Sequence, residues 1–359
     1  MLSRSESDVT PIRAGEDLDW SRIVSWLRER LPASNITGLD PTRDPEIAQF
    51  PGGHSNLTYR LRFGGVDLVL RRPPLGPVPP TAHDMVREYR WLAAIHPHFA
   101  LAPRVYLLCE DLDVVGVPFY VMERRTGIVV RTEEPPALRN PAARRRLSES
   151  LIDTLASLHA IDVEQAGLSG MGKPAGFVER QVKGWTERWV RSQTTALPEM
   201  DALAAWLRDH LPPPPSPPAV VHGDFKLDNV MLDERDVSKL IGVFDWEMCT
   251  LGDPLVDLGI VLAYWSPTAP PSQRDALTTV IDRPGYFTKE EVVERYASKS
   301  ARDLSRIRFY EVFAVFKIAV VIQQIYFRFA KGQTSDARFA NFDQRVAFLA
   351  RHASELASA

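Results

Sequence analysis

The sequence of 359 residues has few cysteines, little net charge and few apolar residues near its start. Its two cysteines, Cys109 and Cys249, imply no disulfide framework and suit a reducing compartment. The formal net charge is −3, so no basic field points to nucleic acid. The start, "MLSRSESDVTPIRAGEDLDW", is polar and acidic, unlike a signal peptide. We therefore expect a cytoplasmic globular protein that does not bind nucleic acid.

Long uninterrupted hydrophobic runs are also scarce. The most apolar late segment, "FAVFKIAVVIQQIYF", contains Lys317, Gln323 and Gln324, which predicts a buried helix rather than a membrane span. Proline, in contrast, is abundant, and it clusters in "RRPPLGPVPP" and "LPPPPSPP". Such tracts are typical of stiff extended connectors.

The spacing of apolar residues divides the chain into two regions. "NLTYRLRF" alternates apolar and polar residues with the period of a strand, and "VDLVLRR", "RVYLLC" and "PFYVME" continue the strand pattern. From Leu147 the period becomes helical. The sequence predicts an α+β fold with two domains. Residues 1–122 form a small antiparallel β domain with a leading helix and one key helix, and residues 123–359 form a larger, mainly helical domain. Polar turns between such domains suggest a ligand cleft.

Two polar turns follow short apolar segments. "VVHGDFKLDNVMLD" places Asp224, Asp228 and Asn229 in one turn, and Asp245 ends the apolar strand of "LIGVFDW". Neighbouring carboxylates repel each other and resist burial. The pattern therefore indicates a cationic ligand.

A third group of polar residues comes earlier in the chain. Glu88 lies on the apolar stripe of the helix "HDMVREYRWLAAI", where a carboxylate is costly unless it is paired. Arg71, on the same strand face as Val69, is the partner we expect, and Arg72, Arg87 and Arg90 are alternatives close in sequence. A strand cation that reaches a helix carboxylate is how kinases hold nucleotide phosphates.

The sequence resembles the aminoglycoside phosphotransferase-like kinases, a branch of the protein-kinase-like fold. It is similar in particular to the kinase-like domains fused to acyl-CoA dehydrogenases and to their stand-alone bacterial relatives. The matching pieces, in order over roughly residues 45 to 265, are "GGHSNLTYRL", "LVLRRPP", "REYRWLAAI", "FYVMERRTG", "HGDFKLDNVM" and "FDWEMCTLGDPLVDLG". HGD-x-x-x-x-N and DWE-x-x-x-x-GDP-x-x-DL together form a specific signal. The resemblance implies a bilobal kinase-like fold.

The same resemblance implies a role for each matching residue. Asp224 matches the catalytic aspartate that accepts or orients the proton of the substrate hydroxyl. Asn229 and Asp245 match the two Mg²⁺ ligands, and the glutamate–arginine stretch Glu123 to Arg125 matches the hinge whose backbone would bond adenine. The remaining nucleotide-binding positions are Gly52, Gly53, His54, Ser55 and Asn56 in the turn over the phosphates, Val69 and Arg71 on the strand, and Glu88 on the helix.

The sequence departs from the usual protein-kinase pattern in two ways. Arg71 stands where kinases usually have lysine, and the two side chains are not equivalent because arginine is a planar fork. The chain has no G-x-G-x-x-G, D-F-G or A-P-E motif, which disfavours a protein substrate. The resemblance thus implies an ATP- and Mg²⁺-dependent phosphotransferase for a hydroxyl of a small molecule, and it points to a hydroxy acid or a hydroxyacyl-CoA as the acceptor. The alternatives are a nucleotide-binding pseudokinase or scaffold without turnover, and a protein kinase.

Several nearby residues have more ordinary explanations. We expect structural roles for His159 and His222, and a solvated position for Asp228. Glu247 is either a third acidic contact near the metal or an exposed carboxylate. Asp253 and Asp257 are expected to brace the catalytic loop. The aromatic residues expected to pack in the core, with the lining of an acceptor pocket as the alternative, are Trp185, Trp189, Tyr264 and Trp265.

Overall fold

The structure is a computed structural model that describes residues 8–51, 56–75, 83–131, 133–215, 217–270 and 281–359. The chain forms two compact units. The first contains Met1–Gly127 and Ile241–Glu247, and the second contains Ile128–Leu240 and Met248–Ala359. The sequence-based boundary after Met122 lies near the first break. No pattern in the sequence marks Ile241–Glu247 as part of the first unit.

The first unit is built on a five-stranded antiparallel sheet with the strand order β1-β2-β3-β5-β4. Its strands are β1 (Glu46–Gln49), β2 (Leu57–Phe63), β3 (Val66–Arg72), β4 (Val105–Cys109) and β5 (Phe119–Glu123). Its helices are α1 (Trp20–Arg30), α2 (Met85–Ile95) and the short α3 (Leu112–Val115).

The two faces of this sheet differ in chemistry. Tyr59, Leu61 and Phe63 of β2 are fully buried and form a core with Ile23 and Leu27 of α1. Successive residues of a strand point to opposite faces, so the residues between them face the other way. That second face carries Thr58, Arg60 and Arg62 of β2 and Val69 and Arg71 of β3.

Helix α2 begins at a side-chain cap. The carboxylate of Asp84 accepts a hydrogen bond from the backbone N–H of Arg87 at 2.9 Å, as N-cap residues do. The buried stripe of α2 contains Met85, Trp91 and Leu92, and Glu88 lies on the same stripe, as the sequence predicts.

The second unit is mainly helical. Its helices are α4 (Pro141–His159), α5 (Phe177–Ser192), α6 (Pro198–Asp209), α7 (Leu255–Tyr264), α8 (Lys289–Lys299), α9 (Ile307–Ala330) and α10 (Phe342–Ser358). Strand β6 (Ala219–Val221) pairs with β9 (Thr250–Gly252), and β7 (Val230–Leu232) lies between them in sequence. Strand β8 (Leu240–Val243) belongs to the first unit except for its first residue. The elements of the two units together define an α+β protein, the predicted class.

Helix α9 packs against α5, α7 and α10. Among the described residues it is the one helix whose length and composition would allow it to cross a membrane, and 61% of its apolar window is buried inside the protein. One of the polar residues that interrupt it has a partner on α5. Gln323 donates a hydrogen bond to the Ser192 carbonyl at 2.7 Å.

Candidate active-site residues

Arg71 of the first unit lies between two carboxylates. Its Nε donates to Oε2 of Glu88 at 3.1 Å, and its Nη2 donates to Oδ1 of Asp245, also at 3.1 Å. Glu88 is 2% exposed, whereas the Asp245 side chain is about one-third exposed, at 34%. The pairing of Arg71 with Glu88, predicted from the helix pattern, is confirmed. The second bond joins residues 174 positions apart.

Several charged groups act on one another in this cluster. Three carboxylates, those of Glu88, Asp245 and Glu247, act on the guanidinium of Arg71, and His83 Nδ1 lies 3.5 Å from Oε2 of Glu247. Burial raises the pKa of Glu88 to about 7; Arg71 opposes the shift, and Asp245 and Glu247 add to it. Burial disfavours the charge of Arg71, but these carboxylates and Tyr120 outweigh it and raise the pKa of Arg71. Carboxylates that repel one another at this distance favour an additional cation.

Asp245 has an uncommon backbone conformation. Its φ is +66°, in the left-handed region that residues other than glycine rarely adopt, although aspartate tolerates it better than most. Asp245 lies two residues after the end of β8, and its carboxylate accepts a hydrogen bond from Arg71. Backbone strain of this kind is concentrated at functional sites.

Glu247 lies close to Asn56, the last residue of the predicted phosphate turn. The amide Nδ2 of Asn56 donates to Oε2 of Glu247 at 3.2 Å, and Oδ1 of Asn56 is buried with no hydrogen-bond partner. Burial, followed by repulsion from Asp245, raises the pKa of Glu247. The structure therefore favours the acidic-contact explanation of Glu247 over an exposed carboxylate. The other turn residues, Gly52, Gly53, His54 and Ser55, lie outside the described residues.

The predicted hinge residues are engaged within the first unit. The backbone N–H of Glu123 donates to the Arg104 carbonyl at 2.8 Å, and its carboxylate accepts from the Arg125 Nε at 2.8 Å. The guanidinium of Arg125 also donates to the carbonyls of Ala102 and Ile241. These bonds hold the chain at the end of β5, and the contacts of Glu123 and Arg125 with a nucleotide stay a prediction.

In the second unit, the turn after β6 is fixed by a glycine and a buried carboxylate. Gly223 has φ +85°, and a Cβ there would lie 2.8 Å from the Met248 Cβ, so a side chain does not fit. Asp257 accepts hydrogen bonds from the backbone N–H groups of His222 at 2.6 Å and Gly223 at 2.7 Å. This is the bracing role that the sequence predicts for Asp257.

A buried network supports that brace. Nε2 of His159 lies 3.2 Å from Oδ2 of Asp257, and Nδ1 of His159 lies 2.8 Å from the Tyr296 hydroxyl. Burial of Asp257 disfavours its charge, but the bonds from His159 and from the Gly223 backbone outweigh it and lower the pKa of Asp257. Burial lowers the pKa of His159. The structural role expected for His159 is confirmed.

Asp224 follows this braced glycine and is held from two sides. Nζ of Lys226 lies 2.9 Å from Oδ2 of Asp224, and the Asn229 Nδ2 donates to the same oxygen at 3.0 Å and to the Asp224 carbonyl at 2.8 Å. Because the amide nitrogen of Asn229 is used in this way, the amide oxygen is the atom left to bind a cation. The structure therefore brings Asp224 and Asn229 together, as the motif predicts.

Sequence reasoning missed Lys226. Its side chain also lies 3.9 Å from Asp228 Oδ2 and above the ring of Tyr264, 5.1 Å from the centroid. Burial opposes its charge, but Tyr264, Asp224 and Asp228 outweigh it and raise the pKa of Lys226. Asp228, expected to be solvated, has a 41% exposed side chain whose Oδ1 is nevertheless buried without a hydrogen-bond partner. Lys226 lies only two residues after the candidate catalytic aspartate, and this spacing could have predicted that the two side chains pair.

A second missed lysine supports the turn from α9. Lys317 is buried, and its Nζ donates to the Gly223 carbonyl at 2.5 Å. Burial lowers its pKa. The same side chain lies over the ring of Trp185, 5.4 Å from the centroid. The residue that seemed to interrupt an apolar helix is thus a support for the candidate catalytic turn.

The donor atoms present suit a hard cation. Carboxylate and amide oxygens are the ligands that Mg²⁺ prefers, and Mg²⁺ is usually bound by one or two carboxylates together with substrate phosphates. Asp245, with Glu247 nearby, offers such oxygens in the first unit, and Asn229 offers one in the second. Within the described ranges no group of three or more His, Cys, Asp or Glu side chains is placed to hold a metal by itself. The oxygens of Asp245 and Glu247 in the first unit suit an ion that arrives with the phosphates of a nucleotide.

Comparisons with known proteins agree with this chemistry. The sequence pattern of the phosphotransferase enzyme family matches residues 46–287, about two thirds of the chain, and the protein belongs to that family. The mouse protein acyl-CoA dehydrogenase family member 10 is 34% identical over 84% of the chain, which spans only 28% of the length of that relative.

Solved structures show the same fold. A crystal structure from Ralstonia eutropha, provisionally assigned as an aminoglycoside phosphotransferase, matches with a TM-score of 0.79 and 28% identity over 95% of this chain and 99% of the other. A mutant of aminoglycoside phosphotransferase APH(4)-Ia, in a ternary complex with AMP-PNP and hygromycin B, matches with a TM-score of 0.53 and 16% identity over 85% of this chain and 93% of the other. The predicted kinase-like α+β fold is confirmed.

Proposed function

We propose that this protein transfers the terminal phosphate of ATP, in a Mg²⁺-dependent reaction, to a hydroxyl group of a small molecule. The observation that carries the proposal is the cluster in which Arg71 bonds both Glu88 and Asp245. A guanidinium so held offers a permanent positive charge in a fixed orientation, which suits a phosphate. Membership of the phosphotransferase enzyme family supports the same reaction class.

The first unit would bind the nucleotide. Arg71 would donate to phosphate oxygens, with Glu88 as the buried carboxylate that fixes its orientation. Asn56 is the last residue of the predicted phosphate turn. Mg²⁺ would be held by Asp245 and Asn229, and it would neutralise charge on the phosphates. The ATP analogue bound by the APH(4)-Ia structure supports ATP as the donor.

Asp224 of the second unit would orient the acceptor hydroxyl and accept its proton. Its carboxylate is held by the Asn229 amide and by Lys226, and the turn is fixed by Asp257 and Lys317. A rigid carboxylate aligns the hydroxyl oxygen for in-line attack, and such positioning supplies most of the catalysis of phosphoryl transfer.

The acceptor is proposed to be a hydroxy acid or a hydroxyacyl-CoA. The mouse relative is named for acyl-CoA dehydrogenation, and the chain matches a segment that makes up 28% of that protein. The sequence "RIRFYEVFAVFKIAVVIQQIYFRFAKGQ" is apolar to basic, which suits an anionic, partly apolar acceptor better than a polycationic aminoglycoside.

Calorimetry tests the nucleotide part of the proposal. ATP should bind more tightly with Mg²⁺ than without it, and Asp245→Ala should lose that enhancement while the variant stays folded. Asp236→Ala, which removes a carboxylate from an exposed turn, is the matched control. An enhancement that is unchanged in Asp245→Ala would contradict the metal role. Incubation with γ-labelled ATP and a panel of hydroxy acids, hydroxyacyl-CoAs and aminoglycosides tests the acceptor class.

A further inference from the structure

Arg60 of β2 is a buried cation with unused hydrogen-bond donors. It is 6% exposed, and among the described residues neither its Nε nor its Nη1 has a hydrogen-bond partner. Within the same residues its ion pair is with Glu46, whose Oε2 lies 3.8 Å from Nη2. Burying a charged group without its hydrogen bonds is costly, so its retention calls for an explanation.

Glu46 does not supply that explanation. Its side chain is 71% exposed, and it lies at a similar distance, 3.9 Å, from Arg62. Exposed pairs at this separation contribute little. Glu46 also approaches Nη2, whereas the atoms without partners are Nε and Nη1.

Arg62, two residues along the same strand, shows how such a side chain is satisfied here. Its Nε donates to Asp67 Oδ1 at 2.7 Å, and its Nη2 donates to Oδ2 of the same carboxylate at 3.2 Å. Arg71 has two carboxylate partners as well. Arg60 shares their sheet face without such a partner.

The register of the sheet places Arg60 among the candidate nucleotide contacts. Arg60 lies opposite Val69, and Val69 lies opposite Met122 on the other side of β3. Cross-strand neighbours point to the same face. Arg71 points to the same face two residues further along β3, about 7 Å away along the strand. Val69, the partner of Arg60, pairs with Met122, whereas Arg71 pairs with Tyr120. Arg60 is therefore closer along the sheet than Arg71 to Glu123, which the resemblance assigns to the adenine end of the site.

We propose that Arg60 is a nucleotide-binding residue whose Nε–H and Nη1–H groups donate to acceptor atoms of the nucleoside, its base or ribose. This inference rests on the proposed function, because it takes the face of Arg71 as the nucleotide face. A guanidinium offers donors in a rigid fork and keeps its charge at any physiological pH. Bound nucleotide would supply the acceptors that the protein does not.

Two measurements on Arg60→Leu test the proposal. Because it removes hydrogen bonds from a charged donor, the variant should bind ATP and ADP about 10- to 100-fold more weakly. The affinities for ATP and ADP should fall by the same factor, since the two ligands share the nucleoside. The melting temperature without nucleotide should be unchanged or higher, since a buried charge with unmade bonds is removed. Arg62→Leu is the matched control, with ATP affinity within about threefold of wild type.

The possible outcomes separate the explanations. Unchanged ATP affinity in Arg60→Leu, with a lower melting temperature, would show a structural role and overturn the inference. A loss confined to ATP would assign Arg60 to the terminal phosphate and overturn the nucleoside contact. If Arg60→Leu does not fold, Arg60→Lys is measured instead, because it keeps the charge but loses the forked guanidinium. Arg60→Lys should then bind ATP more weakly than the wild type, and an unchanged ATP affinity would refute the inference. A wild-type protein that binds neither nucleotide would instead contradict the proposed function.

Discussion

Asp257→Asn tests whether a single buried carboxylate organises the candidate catalytic turn. Asp257 is fully buried, and its Oδ2 and Oδ1 accept the backbone N–H groups of His222 and Gly223 at 2.6 and 2.7 Å. Nε2 of His159 lies 3.2 Å from Oδ2. Asparagine has nearly the same shape, but it keeps only one acceptor oxygen and turns an NH₂ group toward a donor.

The expected cost follows from these bonds. A hydrogen bond to a charged group contributes about 1.5–3 kcal/mol, and an unmatched buried donor adds a penalty of about 1–3 kcal/mol. Losing one backbone bond and gaining one donor–donor conflict should therefore lower the free energy of unfolding by about 3–5 kcal/mol. That is a large share of the roughly 5–15 kcal/mol that typically stabilises a protein.

Urea unfolding at pH 7 measures the loss, and hydrogen exchange at the amides of His222 and Gly223 locates it. Both amides should exchange faster in Asp257→Asn. Asp236→Asn is the matched control, because Asp236 also accepts two hydrogen bonds, from the Ser238 N–H and hydroxyl, but at an exposed turn. A loss below about 1 kcal/mol with both amides still protected would refute the brace, since even one such bond exceeds that value.

Three further predictions concern charged side chains of the candidate site. Lys226→Met should lower kcat at saturating ATP while the ATP Kd stays within a few-fold, because Nζ holds Asp224 at 2.9 Å; an unchanged kcat would contradict a positioning role. Burial lowers the pKa of His159, so the unfolded state takes up the proton first, and the free energy of unfolding should fall as the pH drops through about 6.5. Urea unfolding at several pH values should show a weaker dependence in His159→Gln, and equal slopes would argue against it. A double-mutant cycle of Arg71→Met and Glu88→Gln on stability should give a coupling of about 1–3 kcal/mol, whereas additivity would mean that the pair does not act as a unit.

Local sequence patterns were sufficient to predict a contact when the position of a residue within one helix, strand or turn determines that contact. Glu88 lies on the buried stripe of a helix, and a buried carboxylate requires a cation, so its pairing with Arg71 on the polar strand face could be predicted. The short spacing within "HGDFKLDN" likewise placed Asp224 and Asn229 in one turn, where they bond each other.

Contacts between residues far apart in sequence could not be predicted in the same way. Periodicity shows which face of a helix is buried but not which atom it will meet. Lys317 was recognised as an interruption of an apolar helix, but its bond to the Gly223 carbonyl joins residues 94 positions apart. Tyr264 was expected to pack in the core or to line an acceptor pocket, and its position beneath the Lys226 ammonium was not predicted. The missing partners of Arg60 are visible only when its whole environment is known.

The most direct test of the central claim is transfer of label from γ-labelled ATP, compared between the wild type and Asp224→Asn, over a panel of hydroxy acids and hydroxyacyl-CoAs. The wild type should phosphorylate at least one member of the panel. Asp224→Asn should transfer label about 10²–10⁴-fold more slowly, toward the lower end because positioning dominates phosphoryl transfer, with an ATP affinity within a few-fold of wild type. If the wild type binds ATP tightly but transfers label to no acceptor, the result would contradict the proposed phosphotransferase activity and favour a pseudokinase. Loss of ATP binding in Asp224→Asn would contradict the role of Asp224 at the acceptor hydroxyl.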